Sequence, residues 1–155
     1  RGWNITTPPP PATKTKKEAS FLFKIGNAYL DTKQWDKALP VYKKAHKIYK
    51  KILGAGSVQA VDTLSNIGSA LKSMGEIEPA LETLNECLPL YRALGVVDDL
   101  RVARTLYKLG WCHFPSGPQG LVRMSECWVE AHGIFTRRGD RSPEAREVAD
   151  AIREW

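Results

Sequence analysis

The chain has 155 residues, of which 43% are hydrophobic and 26% are charged, and its formal net charge is +6. This composition is typical of one globular domain, and no apolar run approaches the roughly 18 residues that a membrane-spanning helix needs. The odd number of cysteines, three, argues against a disulfide framework and for a reducing compartment, which we expect to be the cytoplasm. The charge is uneven, since residues 1–51 hold twelve Lys and Arg against three acids, whereas residues 52–100 hold two against seven.

Residues 1–17 predict a flexible linker. The proline run Pro8–Pro11 favours polyproline II and excludes a helix interior, and a polar, basic stretch follows it at residues 13–17. Because the chain begins at Arg1 rather than at a methionine, we expect it to be a fragment or a processed product.

The next residues predict two helical hairpins, over residues 18–54 and 57–95. Apolar residues recur every three or four positions in each, with Pro40 in the first turns of the second helix, where a missing N–H costs least. Ser57 is a candidate N-cap for the third helix, and Gly75 is expected to end that helix in a left-handed conformation.

A third hairpin is predicted over residues 98–139. Asp98 or Asp99 should cap its first helix, and Gly120 or Leu121 should begin its second helix after a glycine- and proline-rich turn. Ser142 then offers a capping hydroxyl for a last helix, predicted over residues 143–155, which should cap the array.

One glycine recurs in the first helix of each predicted hairpin, at a constant separation of 42 residues: Gly26, Gly68 and Gly110. An apolar residue stands four positions before each of these glycines: Leu22, Leu64 and Leu106. A fixed period of this length is typical of helical repeat arrays, in which stacked hairpins bury one another's apolar faces. The glycine allows a neighbouring helix to approach closely while a large apolar residue fills the remaining gap.

These residues make the chain resemble a tetratricopeptide repeat protein, and more narrowly the 42-residue repeats of kinesin light chains, over residues 18–139. The first repeat carries signature residues of that family at Gly26, Ala28, Tyr29, Trp35, Ala38, Pro40, Ala45 and Ile48. The resemblance implies an all-α fold, a tetratricopeptide-like α-solenoid of three helical hairpins plus a C-terminal capping helix. It also implies a binding module or adaptor rather than an enzyme.

In such an array the first helix of each hairpin lines a concave groove. The positions on that helical face predict a binding site for a peptide or partner segment, formed by Phe23, Asn27, Asn66, Ser69, Arg104, Tyr107, Lys108 and Trp111. Arg104 and Lys108 can pair with carboxylates, and Tyr107 and Trp111 can hold an apolar side chain, so the partner is expected to be acidic in character.

Two resemblances to family members bear on this groove. Chaperone-binding tetratricopeptide domains grip a C-terminal carboxylate with a Lys and Asn pattern, which Asn27, Asn66, Arg104 and Lys108 match, although Phe23 replaces the first lysine. Kinesin light chains instead read short peptides in which tryptophan lies among acidic residues, and the cationic and aromatic face of the fifth helix is compatible with that ligand as well.

A basic outer ridge is predicted on the second helix at Lys43, Lys47 and Lys50. It suggests two alternatives to a groove binder. The chain could be a structural subunit of a large assembly, such as a cytoskeletal complex, or, less favoured, an adaptor that binds nucleic acid through these lysines. More often, such lysines form an ordinary solvated face.

Nothing in the sequence predicts catalysis, a metal or a cofactor. Cys112 and His113, taken with Cys127 and His132, match no common zinc spacing, and the glycine-rich phosphate loop and the nucleophile elbow are missing from the sequence. We therefore expect no small-molecule substrate.

Overall fold

The structure is a computed structural model that describes residues 15–95 and 99–155. Seven α-helices make up these residues: α1 Lys16–Asp31, α2 Trp35–Leu53, α3 Val58–Ser73, α4 Ile77–Ala93, α5 Leu100–His113, α6 Gly117–Arg137 and α7 Pro143–Glu154. A single turn of 3-10 helix, Phe114–Ser116, links α5 to α6, and no strand occurs within the described ranges. The predicted all-α array of three hairpins plus a C-terminal capping helix is confirmed.

The helices pack as sequential antiparallel pairs. The hairpins α1–α2, α3–α4 and α5–α6 stack through α2 on α3 and α4 on α5, and α7 closes the array against α5 and α6. The largest side chains of the core come mainly from the second helix of each hairpin, Tyr42, Leu84 and Trp128, each less than 2% exposed. No helix in the described part of the chain has both the length and the apolar composition to cross a membrane.

The three repeat glycines make the same contact. A Cβ built on Gly26 would lie 2.5 Å from the Tyr42 ring, and one on Gly68 would lie 2.8 Å from Leu84. At Gly110 it would overlap the indole nitrogen of Trp128. Each glycine thus makes room for a large, fully buried residue of its own hairpin, as the 42-residue period predicted.

Side-chain caps and left-handed residues set the helix boundaries. Thr15, Ser57, Asp99 and Ser142 each accept a hydrogen bond from a backbone N–H in the first turn of the following helix. Gly75 is left-handed, with φ +81°, as predicted. The equivalent turn of the first hairpin uses Lys33 at φ 60°, a conformation that is unusual for a residue with a side chain.

Two predicted boundaries differ from the structure. The sixth helix begins at Gly117, not at Gly120 or Leu121, because Pro118 is well suited to the first helical turn and Gly117 makes the left-handed entry at φ 69°. The first helix begins at Lys16, inside the predicted linker, since Thr15 caps it; residues 1–14 of that linker lie outside the described residues.

The capping helix α7 lacks the repeat glycine. Its half-buried Ile152 packs against the core together with the buried Val148. The face that packs on α5 and α6 is apolar, whereas the exposed positions of α7 carry charges such as Arg146 and Asp150.

Substitution of a repeat glycine should lower the free energy of unfolding, and the loss should be larger where the side chain that faces the glycine is rigid. We expect Gly110→Ala and Gly26→Ala, which face aromatic rings, to lower the free energy of unfolding by about 1–3 kcal/mol, and Gly68→Ala, which faces flexible Leu84, to lower it by less. Gly68→Leu should abolish the native state. Urea denaturation followed by circular dichroism measures all four.

The matched control for this series is Gly56→Ala. Gly56 is exposed, and no atom lies within 4 Å of the site where a Cβ would stand. A loss of stability at Gly56 equal to that at Gly110 would contradict the packing explanation.

Candidate binding groove

A cavity of about 430 Å³ opens between the first helices of the three hairpins. It is lined by Phe23 of α1, by residues of α3, α4 and α5, and by Arg138 at the end of α6. The full lining is Phe23, Asp62, Ser65, Asn66, Tyr91, Asp99, Leu100, Arg101, Arg104, Lys108 and Arg138. Four cations face two carboxylates across this space, so the cavity is electropositive.

Lys108 lies at the inner wall of the cavity. Its Nζ donates a hydrogen bond of 2.9 Å to Oγ of the buried Ser65, which joins α5 to α3. Desolvation by burial lowers the pKa of Lys108 to about 8, despite the opposing attraction of Asp62. A partner carboxylate would relieve this penalty, because it would compensate an ammonium group that has little water around it.

Arg104 lies one turn away and is more open. Its side chain is 44% exposed, and its guanidinium makes one loose ion pair, 3.9 Å from Asp140. Arg138 is exposed and has no ion-pair partner among residues 15–95 and 99–155. Both guanidinium groups therefore keep most of their donors available for a ligand.

Arg101 is held in place by Asp62. The Asp62 carboxylate accepts from Arg101 Nε at 3.0 Å and from the Tyr91 hydroxyl at 2.6 Å, which ties α3, α4 and α5 together. Burial and this bond to Asp62 raise the pKa of the Tyr91 phenol. The network fixes the orientation of Arg101 at the groove edge and neutralises part of its charge.

The two groove asparagines bond to each other. Asn66 Nδ2 donates to Asn27 Oδ1 at 3.1 Å, and the same oxygen accepts from the Tyr42 hydroxyl at 2.6 Å. Burial raises the pKa of Tyr42 to about 12. Asn27 thus positions the first two hairpins relative to one another, and its carbonyl oxygen is already engaged before any ligand arrives.

Tyr107 and Trp111 belong to an aromatic cluster under α7. Tyr107 stacks on Trp128 at 5.8 Å between ring centroids, and its hydroxyl donates to Glu147 of α7 at 2.5 Å. Trp111 meets Trp128 edge-on at 5.4 Å, with Lys72 Nζ 5.7 Å from the centre of its ring. Trp155 also stacks on Trp128, so α7 covers this end of the groove.

The structure therefore divides the eight residues of the predicted site. Phe23, Asn66, Arg104 and Lys108 line the cavity, whereas Asn27, Ser69, Tyr107 and Trp111 do not. Arg101 and Arg138 line it as well and were not singled out from the sequence. Arg138 follows α6, outside the first-helix face that the periodicity defines, so only the fold brings it to the groove.

The basic outer ridge lies elsewhere on the molecule. Lys43, Lys47 and Lys50 are exposed on the side of α2 opposite the buried Tyr42 and Ala45. No α2 residue lines the cavity.

The cysteines and histidines form no site in the described part of the chain. No three side chains among His, Cys, Asp and Glu cluster there to hold a metal ion. Cys87 and Cys112 are buried, and burial raises the pKa of both thiols, to about 12 for Cys87. Such thiols are neutral packing groups rather than nucleophiles at neutral pH.

The sequence matches the family model of the tetratricopeptide repeat over residues 18–93. The matched range contains the first two hairpins, and the third keeps the same glycine contact beyond it. No curated protein sequence matches the chain.

Solved structures share the fold at low sequence identity. The tetratricopeptide-like repeats of a kinesin light chain candidate from Podosopora anserina superpose with a TM-score of 0.73 at 12% identity, covering 87% of this chain and 64% of that one. The apo form of RapI gives 0.73 at 19% identity, covering 94% and 53%. A Rap conjugation gene regulator of the plasmid pLS20, in complex with a Phr peptide, gives 0.66 at 22% identity, covering 90% and 42%. This chain thus spans less than two-thirds of each of these proteins.

The depressed pKa of Lys108 predicts a specific pH dependence of folding. The pKa of a lysine in the unfolded chain is near 10.4, whereas that of Lys108 in the folded protein is about 8. Between these pH values only the unfolded chain keeps the proton, so the free energy of unfolding rises with pH. Relative to Lys108→Met, we expect the wild type to gain on the order of 2 kcal/mol in free energy of unfolding between about pH 7 and 9.5.

Urea titrations of both proteins at each pH measure this difference. The thiols and phenols titrate in both proteins, so the comparison isolates Lys108. A difference that stays constant across the range would mean that the Lys108 ammonium is fully hydrated in the folded protein.

Proposed function

This chain belongs to the tetratricopeptide repeat family, and we propose that it is a non-catalytic protein-interaction module that holds an acidic peptide segment in its concave groove. The observation that carries the proposal is the convergence of Arg104, Lys108 and Arg138 on one cavity. Two of these cations lie on α5 and the third directly follows α6, and none of them is saturated by an internal carboxylate.

The charge of the cavity determines the class of ligand. Asp62 and Asp99 lie closest to Arg101, at 3.0 and 3.8 Å, so they offset mainly that cation, and Arg104 has only the loose pair with Asp140. The remaining positive charge favours carboxylates, and guanidinium groups bind them with two parallel hydrogen bonds. An acidic side chain between Arg104 and Lys108 would be the anchor of the complex.

The apolar part of the cavity supplies a second contact. Phe23 and Leu100 are half-buried at its margin and offer surface to an aromatic or aliphatic side chain next to the acidic anchor. A volume of about 430 Å³ is at the small end of ligand pockets, which suits one or two side chains of an extended peptide better than a whole folded domain.

The peptide complex of the Rap regulator supports this proposal at the level of the fold. That protein holds a Phr peptide, and its repeats superpose on this chain with a TM-score of 0.66. At 22% identity the similarity supports a shared architecture, and the ligand chemistry proposed here rests on the residues of this chain.

The test is a binding titration with a labelled peptide that carries one tryptophan flanked by glutamates. Arg104→Ala/Arg138→Ala should weaken binding by about a hundredfold, because each of the two charge-assisted contacts contributes on the order of 1.5 kcal/mol. Both side chains are exposed, so this variant should keep its fold. Arg104→Ala/Lys108→Ala should weaken binding further, and circular dichroism must confirm that it is folded.

Two controls complete the experiment. Lys43→Ala/Lys47→Ala removes the same charge from the outer ridge and should change the affinity by less than about twofold. Replacing the glutamates of the peptide with glutamines should abolish binding. If the ridge variant loses as much affinity as the groove variant, or if the glutamine peptide binds equally well, the proposed groove is wrong.

A further inference from the structure

The exposed surface of α2 is an almost continuous face of lysines. We define the lysine face as Lys37, Lys43, Lys44, Lys47, Lys50 and Lys51. All six are exposed, and at 100° per residue they occupy one contiguous arc opposite the buried Tyr42 and Ala45. Within residues 15–95 and 99–155 none of the six has an ion-pair partner.

The repeat architecture does not require Lys43, Lys44 or Lys47, whereas the position of Lys50 is again basic in the second hairpin, at Arg92. In the second hairpin, 42 residues on, the positions of Lys44 and Lys47 are occupied by Glu86 and Pro89. In the third hairpin, two residues longer, the positions of Lys43 and Lys47 are occupied by Val129 and Gly133. The same place in the fold therefore accepts an acid, a proline, an apolar residue or a glycine, so packing does not explain the lysines.

Part of the lysine face also opposes the stability of its own helix, although Lys50 and Lys51 lie in the last turn, where the helix dipole favours cations. Lys43, Lys47 and Lys51 follow one another at intervals of four residues, and like charges at this spacing destabilise a helix. No carboxylate of the described chain compensates them. A feature that costs stability and contributes nothing to packing indicates a partner of opposite charge.

The chemistry of the face narrows the class of partner. It contains neither arginine nor an aromatic residue, so it lacks the groups that stack on bases or bind phosphates through two parallel bonds. It contains no large apolar side chain that could enter a membrane interface. Ammonium groups without further functionality suit carboxylates, and lysines four residues apart lie about 6 Å apart along the helix, close to the roughly 6.8 Å between alternate side chains of an extended chain.

We propose that the lysine face is a second binding surface and that its partner is an extended acidic protein segment, in which Asp or Glu recurs at alternate positions. The surface lies on α2, away from the groove, so one chain would hold two acidic segments at once. This inference does not depend on the groove, because no α2 residue lines that cavity.

The experiment uses a labelled peptide in which glutamate alternates with serine, followed by fluorescence anisotropy at low ionic strength. Lys43→Gln/Lys47→Gln/Lys50→Gln should weaken binding by about tenfold, since each exposed ion pair contributes about a twofold effect. Arg123→Gln/Arg141→Gln/Arg146→Gln is the matched control, because it lowers the net charge equally at exposed positions of the third hairpin, the following loop and α7. That control should keep the affinity within about twofold of wild type.

Three further measurements separate the alternatives. Because the groove is also cationic, the lysine variant is measured again in an Arg104→Ala/Arg138→Ala background, where the three lysine substitutions should still weaken binding by about tenfold, so a failed groove and a failed lysine face give different results. If the lysine variant and the arginine control lose the same affinity for the peptide, binding depends on net charge alone, and the proposal is overturned. Binding of a single-stranded DNA of the same charge, or of phosphatidylserine vesicles, more than about tenfold tighter than the peptide would also overturn it, in favour of a nucleic acid or a membrane surface.

Discussion

The contact between a glycine of one helix and a large, fully buried residue of its partner sets the geometry of every hairpin. Gly26 packs against Tyr42, Gly68 against Leu84, and Gly110 against Trp128. Since the missing Cβ leaves just enough space for these side chains, the two helices approach closely and in one register. The residue opposite the glycine is a tyrosine, a leucine or a tryptophan in the three hairpins, whereas the glycine is the same in all of them.

The groove follows from this packing. Hairpins in equal register stack with their first helices side by side, which brings Phe23, Asn66 and Lys108 from three repeats to one cavity. Hydrogen bonds across the repeats then fix their relative positions, from Asn66 to Asn27 and from Lys108 to Ser65. These bonds, together with the one from Arg101 to Asp62, hold Lys108 and Arg101 in place before a ligand binds, whereas Arg104 and Arg138 remain exposed.

The sequence was sufficient for the repeat and insufficient for the surface that the repeat creates. The 42-residue glycine period and the N-cap residues predicted the three hairpins, because each glycine and each N-cap makes its contacts within its own repeat. The exposure of Tyr107 and Trp111 was not predictable, because it depends on how α7 folds back onto Trp128. The position of Arg138 was not predictable for the same reason, since a residue beyond the end of α6 reaches the groove through tertiary packing alone.

The most direct measurement of the central contact is a set of nuclear Overhauser effects between the α protons of the repeat glycines and the side chains they seat. The structure predicts cross-peaks from Gly26 to the Tyr42 ring, from Gly68 to the Leu84 methyl groups, and from Gly110 to the Trp128 indole. It also predicts ring-current shifts for Gly26 and Gly110 and none of that origin for Gly68. Three glycines without these cross-peaks, in a protein that is helical by circular dichroism, would contradict the common packing of the hairpins and the groove derived from it.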